Sequence, residues 1–230
     1  PDITTRTVHS RLFYDNHEFA GKHKVTTESF PYYVPGARVH TFHRFVPEEV
    51  YFKDHPEYFA LRGNKRLPTQ ICLTNPEVYA IVKDSVRSFF NRHPESSVIS
   101  VSQNDNQQYC QDEKCKKIDE SEGSPAGTMI QFVNKIAADF PDKTISTLAY
   151  QYTRKPCKTE PLDNVLITLC SIECDRSASI EEKCVDFADD LRGWNKITSN
   201  IRIWDYTTQF TNYLAPFPNI HTLGPNIRFF

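Results

Sequence analysis

The chain has 230 residues, 39% of them hydrophobic, which is enough to bury a full core in one large domain or two small ones. Its 27 basic and 29 acidic side chains give a formal charge of −2, which leaves no field to select nucleic acid or an anionic membrane. No apolar run approaches the roughly 18 to 20 residues of a membrane span, and Pro1 in place of an initiator Met suggests a processed or trimmed chain.

Residues 1–47 read as irregular and rich in His, Arg, Tyr and Phe, with TTRTVHSRLFY a possible strand. SFPYYVPGARVHTFHRFVP holds three prolines and one glycine, which suits a long loop with short extended pieces. EEVYFKDHPEYFAL reads as a short helix or turn, and RGNKR as a turn. In TNPEVYAIVKDSVRSFFNRHP, Asn75 or Thr74 caps a helix, Pro76 opens its first turn, and Val78, Ile81, Val82, Val86 and Phe89 recur at helical spacing. SSVISVS is a strand. SPAGTMIQFVNKIAADFP is a second helix with Met129, Phe132, Val133, Ile136 and Ala137 on one face. KTISTLAYQYT and NVLITLCSIEC are strands, and SIEEKCVDFADDLRGWNKIT is a third helix with Cys184, Phe187, Leu191 and Trp194 in its stripe. NIRIWDY is a strand, and NIHTLGPNIRFF enters one more helix.

Alternating helices and apolar strands imply parallel strands covered by helices, in a doubly wound sheet or a (β/α)8 barrel. Neither G-x-G-x-x-G nor G-x-x-x-x-G-K-[ST] occurs, which removes the main support for a nucleotide-binding wound sheet. No cofactor motif is read.

Ligands of parallel α/β folds bind at the carboxyl ends of strands. Here those ends carry Asn104, Asp105 and Asn106; Tyr150, Gln151 and Tyr152; Glu173 and Asp175; and Trp204, Asp205 and Tyr206. Each residue has a plainer role open to it. Asn and Asp form turns and caps, a strand-end Tyr or Trp packs, and Glu173 or Asp205 is solvated. Three carboxylates with aromatic platforms suit glycoside chemistry, in which one acid protonates the leaving oxygen and another attacks or activates water. The absence of a G-x-S-x-G elbow argues against a serine nucleophile.

Seven cysteines, Cys72, Cys110, Cys115, Cys157, Cys170, Cys174 and Cys184, leave at least one unpaired within the chain. Their spacing is looser than the C-x2-C pairs zinc favours, so buried thiols, with or without one disulfide, are the expectation, and no metal site is assigned. His40 and His43 form a close pair without a third ligand.

VSQNDNQQYC, SPAGTMIQFVNKIAADFPDKTISTLAYQYTRKP, NVLITLCSIECDRS and IWDYTTQFTNYLAPFPN together resemble an uncharacterised family of bacterial, often gut-bacterial, proteins. That family is described as glycoside-hydrolase-like barrels similar to alpha-glucuronidases and hexosaminidases. HTFHRFVPEEVYFKDHPEYFALRGNKR and QICLTNPEV fit the same pattern, so the resemblance runs from about His40 to the end. It implies a (β/α)8 barrel, incomplete here and lacking the final strand, in a single domain over 1–230 that is a fragment of a longer multidomain chain. It implies location in the periplasm or at the cell surface, a carbohydrate partner and hydrolysis of an oligosaccharide or uronide. By position it makes Asp105 the acid, although an Asp stands where related barrels carry Glu. Glu173 and Asp205 become nucleophile or base, and Asn104, Asn106, Tyr150, Tyr152, Trp204, Tyr206, His40 and His43 line the mouth. Arg154 and Lys155 would meet a uronic acid carboxylate or simply face water. The alternative is a carbohydrate-binding barrel without catalysis.

Overall fold

A computed structural model describes residues 7–8, 10–26, 30–212 and 215–230. The strand expected over TTRTVHSRLFY lies partly outside them, and its described end, Arg11–Tyr14, is a helical turn. Short helices at His17–Lys22, Phe42–Phe45 and Glu48–Tyr51 follow. A hairpin comes next, β1 (Phe59–Arg62) antiparallel to β2 (Lys65–Ile71), turned by the RGNK run with Gly63 at φ 56°. The repeating part begins with α1 (Pro76–Arg92), started by the Asn75 carboxamide, which accepts from Glu77 N at 2.8 Å and Val78 N at 3.3 Å. It buries Val78, Val82, Val86 and Phe90, one turn apart.

Then come β3 (Val98–Ser100), α2 (Glu113–Glu122), α3 (Ala126–Asp139), β4 (Thr144–Ala149), β5 (Val165–Cys170), α4 (Val185–Asn195), β6 (Ile201–Trp204) and α5 (Ile220–Phe229). The third expected helix breaks at Cys184, leaving Ile180–Lys183 as a separate turn. Met129, Phe132, Val133, Ile136 and Ala137 of α3 are buried, as their spacing predicts. They join Ile99, Ile145, Ile167, Phe187 and Trp194 in one core.

The expected (β/α)8 barrel is not what forms. The described residues hold six strands: the hairpin and a four-stranded parallel sheet in the order β3-β4-β5-β6. Chain order equals strand order, so the reversal of a doubly wound sheet is missing too. The reason is visible along β3. Residues 32–41 run beside that strand and satisfy its backbone: Val34 N donates to Val98 O at 2.8 Å, Ser100 N to Ala37 O at 2.9 Å and Thr41 N to Ser102 O at 3.1 Å. This segment makes only one isolated bridge, Tyr33 to Val98. Pro31 and Pro35 lack donors, and Tyr32, Gly36 and His40 sit at positive φ, so it cannot lie down as a strand.

Candidate functional site

The four parallel strands deliver side chains to a cleft of about 310 Å³ at their carboxyl ends. Leu148 and Tyr150 come from the end of β4, Cys170 and Ile172 from β5, and Trp204 and Tyr206 from β6. Asp105 arrives from the loop after β3, Val39 and His40 from the segment beside it, and Phe210 closes the rim. A mostly apolar concavity with a few convergent polar groups is the usual form of a small-ligand site.

The polar run after β3 explains why Asp105 alone reaches in. Gln103, fully buried, donates to Tyr150 O at 3.0 Å and Thr153 Oγ1 at 2.7 Å. Asn104 donates to Thr69 O at 2.9 Å, and its Oδ1 accepts from His43 N at 3.0 Å and His43 Nδ1 at 3.1 Å. Asn106 donates to Thr69 O at 3.1 Å and accepts from Gln70 Nε2 at 3.1 Å. Asn104, Asn106 and His43 therefore lock this loop onto β2 and onto residue 43, and none of them lines the cleft.

Asp105 Oδ1 accepts from Tyr150 Oη at 3.0 Å, and Tyr150 Oη in turn accepts from Gln151 Nε2 at 3.0 Å. Burial, then the bond to Asp105 and its charge, push the Tyr150 hydroxyl up to about 12. No Lys or Arg pairs with Asp105 among the described residues. His40 holds φ 51°, an uncommon conformation for a residue with a Cβ, fixed by its N–H on Ser102 Oγ at 3.0 Å. Its Nδ1 lies 2.8 Å from Gln103 O. A carbonyl only accepts, so Nδ1 carries a proton and donates it to Gln103 O.

Glu173 and Asp205 are differently placed. Neither lines the cleft. Asp205, 16% exposed, accepts from Ser171 Oγ at 2.6 Å and from Tyr206 N at 2.9 Å, and lies 3.8 Å from Arg176. Glu173, 43% exposed, meets Arg154 at 3.2 Å, and Arg154 also binds Asp190 at 2.8 Å. Burial opposes the Arg154 charge, yet Asp190 and Glu173 hold its pKa above the ordinary value. Burial wins at Asp190, whose carboxyl is raised despite that partner. Arg154 is thus committed to protein carboxylates. Burial, then the charges of Cys170, Tyr150, Glu173 and Asp105, push the Tyr206 hydroxyl up.

Tyr152 turns away and stacks on Tyr109 with ring centroids 4.7 Å apart. Asp175 accepts from Ser177 N at 2.8 Å and serves its own exposed turn. Burial first, and Glu173 second, push the Cys170 thiol up to about 12, which makes it an inert wall rather than a nucleophile. Val39, Leu148, Ile172 and Phe210 went unread because single apolar residues carry no chemical signal. A wider depression of about 520 Å³ over Gly63, Tyr109, Lys116 and Pro125 includes none of the residues predicted from the sequence.

Among the described residues no helix is long and apolar enough to cross a membrane. Comparison with curated proteins gives no match. The family model described as Domain of unknown function (DUF4838) matches residues 1–230, and the chain belongs to that family.

Proposed function

We propose that the chain acts on carbohydrate as a glycoside hydrolase, with the cleft around Asp105 holding the sugar. The observation that carries this reading is a carboxylate with no cationic partner among the described residues, set beside Tyr150, Trp204, Tyr206 and the ring of His40. Aromatic faces suit the C–H faces of a sugar ring, and the polar tips suit its hydroxyls. As the acid, Asp105 would first take up a proton and then pass it to the glycosidic oxygen. Of the remaining candidates Glu173 is better suited as the second carboxylate, because Asp205 is saturated by Ser171, Arg176 and a backbone N–H. The Cys174–Cys184 disulfide supports placing the chain in the periplasm or at the cell surface.

Binding without hydrolysis is the second reading. It is favoured by the ion pairs that engage Glu173 and Asp205 outside the cleft lining. Screening aryl glycosides and uronides separates the two. Turnover lost in Asp105→Asn supports hydrolysis. Glycan binding without turnover, unchanged in that variant, supports the binding role. Neither turnover nor binding across the panel rejects both.

A further inference from the structure

Away from the cleft, three thiols and a carboxylate meet. Cys72 follows β2, Cys110 and Asp112 lie in the loop that leads to α2, and Cys115 stands in the first turn of α2. One ligand atom from each residue lies within 4.8 Å of all the others. Cys72 Sγ is 4.0 Å from Cys115 Sγ, and its thiol donates to Asp112 Oδ2 at 2.9 Å, a proton that a metal would displace. A zinc–sulfur bond of about 2.3 Å sets the sulfur–sulfur edge of a tetrahedron at about 3.8 Å, so the Cys72–Cys115 separation is the one a metal would impose.

The surroundings fit an anionic, sulfur-rich centre. The three cysteines are 6% exposed or less, and Ala60 and Leu61 pack over them. Leu61 N donates to Cys110 Sγ at 3.4 Å. Arg66 Nη1 lies 4.0 Å from Cys110 Sγ and 3.7 Å from Asp112 Oδ2. Asp112 Oδ1 accepts from Cys115 N at 3.0 Å, which aims the other carboxylate oxygen at the thiols. Such donors orient metal ligands and offset their charge. A disulfide would use two of the three sulfurs and leave the third buried beside a carboxylate.

We propose that Cys72, Cys110, Cys115 and Asp112 bind one zinc ion in a closed tetrahedral site. Three buried thiols and the half-buried Asp112 carboxylate make four protein ligands and leave no position for substrate, so the role is structural. As the metal binds, each thiol releases its proton to solvent and the thiolate forms the zinc–sulfur bond. The site would tie the end of β2 to the loop five positions beyond Asp105. Gln70, two positions before Cys72, already grips that loop through Asn104 O at 2.8 Å. The metal would thus hold both flanks of the segment that presents Asp105.

The test is metal content, which is read without any activity and so stands apart from the sugar reading. The chain is expressed with zinc supplied, passed into metal-free buffer and analysed by mass spectrometry. The expectation is about one zinc per chain and, after exchange to cobalt, the visible bands of a tetrahedral cobalt thiolate. Cys115→Ser should lose the metal, whereas Cys157→Ser, a buried thiol elsewhere, should keep it. Because serine in a buried cluster can unfold the chain, Asp112→Cys is the second variant. A fourth thiolate should slow zinc loss to a chelator several-fold. Background zinc in the wild type and in Asp112→Cys alike would overturn the proposal. So would a disulfide among these three cysteines in protein isolated with zinc.

Discussion

Tyr150 and Asp105 are joined by one hydrogen bond across 45 positions of sequence, Tyr150 Oη donating to Asp105 Oδ1 at 3.0 Å. The two groups support each other chemically: the phenol donates to the carboxylate, and burial first, then the carboxylate, keeps the phenol protonated. The folded pKa of Tyr150, about 12, lies above its ordinary 10. Its contribution to stability is therefore fully present below pH 10 and is lost as the pH rises through about 12. Asp105→Asn should bring the Tyr150 titration back toward 10, read as phenolate absorbance against Tyr150→Phe. The same substitution should lower turnover of any active glycoside by at least about 10²-fold, the usual contribution of a general acid, with unchanged circular dichroism. An unmoved phenol titration would show that the pair does not exist in solution.

Arg176 is the second point at which the cleft is held. Its guanidinium donates to Tyr206 O at 2.8 Å, Cys174 O at 2.9 Å and Ser171 Oγ at 3.1 Å, also to Ser171 O, and faces Asp205. Burial lowers its pKa, and Asp205 opposes that. A lysine has neither the fork nor the reach for so many acceptors. Arg176→Lys should cost about 2–3 kcal/mol in urea unfolding, the range for lost hydrogen bonds to a charged group. Because Tyr206 N and O are both tied into this cluster, ligand affinity should fall as well. Full stability and affinity in Arg176→Lys would mean that water replaces the fork.

Reduction offers a related test. Cys174 and Cys184, 10 positions apart, are bridged and close the loop after β5. A loop of that length gains about 2–3 kcal/mol from its cross-link in the chain-entropy model. Cys174→Ser/Cys184→Ser should lower the unfolding midpoint accordingly, and dithiothreitol should do the same to the wild type but not to the variant.

Much of this molecule is legible in its sequence, and the losses have physical causes. The helices over Pro76–Arg92 and Ala126–Asp139 follow from apolar spacing because each has one buried face. α2, EKCKKIDESE, escapes because Cys115 is its one buried residue and the rest of its pattern is polar. The hairpin escapes because β2, KRLPTQI, contains a proline and alternates poorly. The strand ends deliver Asp105, Tyr150, Trp204 and Tyr206 to one cleft, which His40 also lines. What sequence cannot tell is which polar side chains are spent on the protein itself. Asn104 and Asn106 look like ligand groups until Thr69 O is seen beneath both. The cysteine cluster is hidden for a similar reason: Cys72 comes from a different element, and Asp112 caps a helix that the apolar pattern does not reveal.

The join between α2 and the loop after β4 gives a prediction that separates charge from packing. Glu122 accepts from Lys158 N at 2.9 Å, Thr159 N at 2.8 Å, Thr159 Oγ1 at 2.7 Å and Gln131 Nε2 at 3.0 Å. Burial works against its charge, but Thr159, Lys158 and Gln131 together hold the carboxyl below its ordinary 4.5. A depressed folded pKa contributes stability that is present above about 4.5 and lost as the pH falls through the lower, folded value. Glu122→Gln should therefore cost about 1–2 kcal/mol at pH 7, in line with lost charge-assisted hydrogen bonds, and far less at pH 3. Gly127 lies against the same side chain, and a Cβ there would overlap Glu122 Cβ and Cγ. Glu122 cannot swing aside without releasing its four donors, so Gly127→Ala should cost about 1–3 kcal/mol by overpacking. Steric overlap does not titrate, so this loss should persist at pH 3. Urea midpoints for the two variants at both pH values decide the matter, and equal pH dependence in both would show that the charge on Glu122 adds nothing to the join.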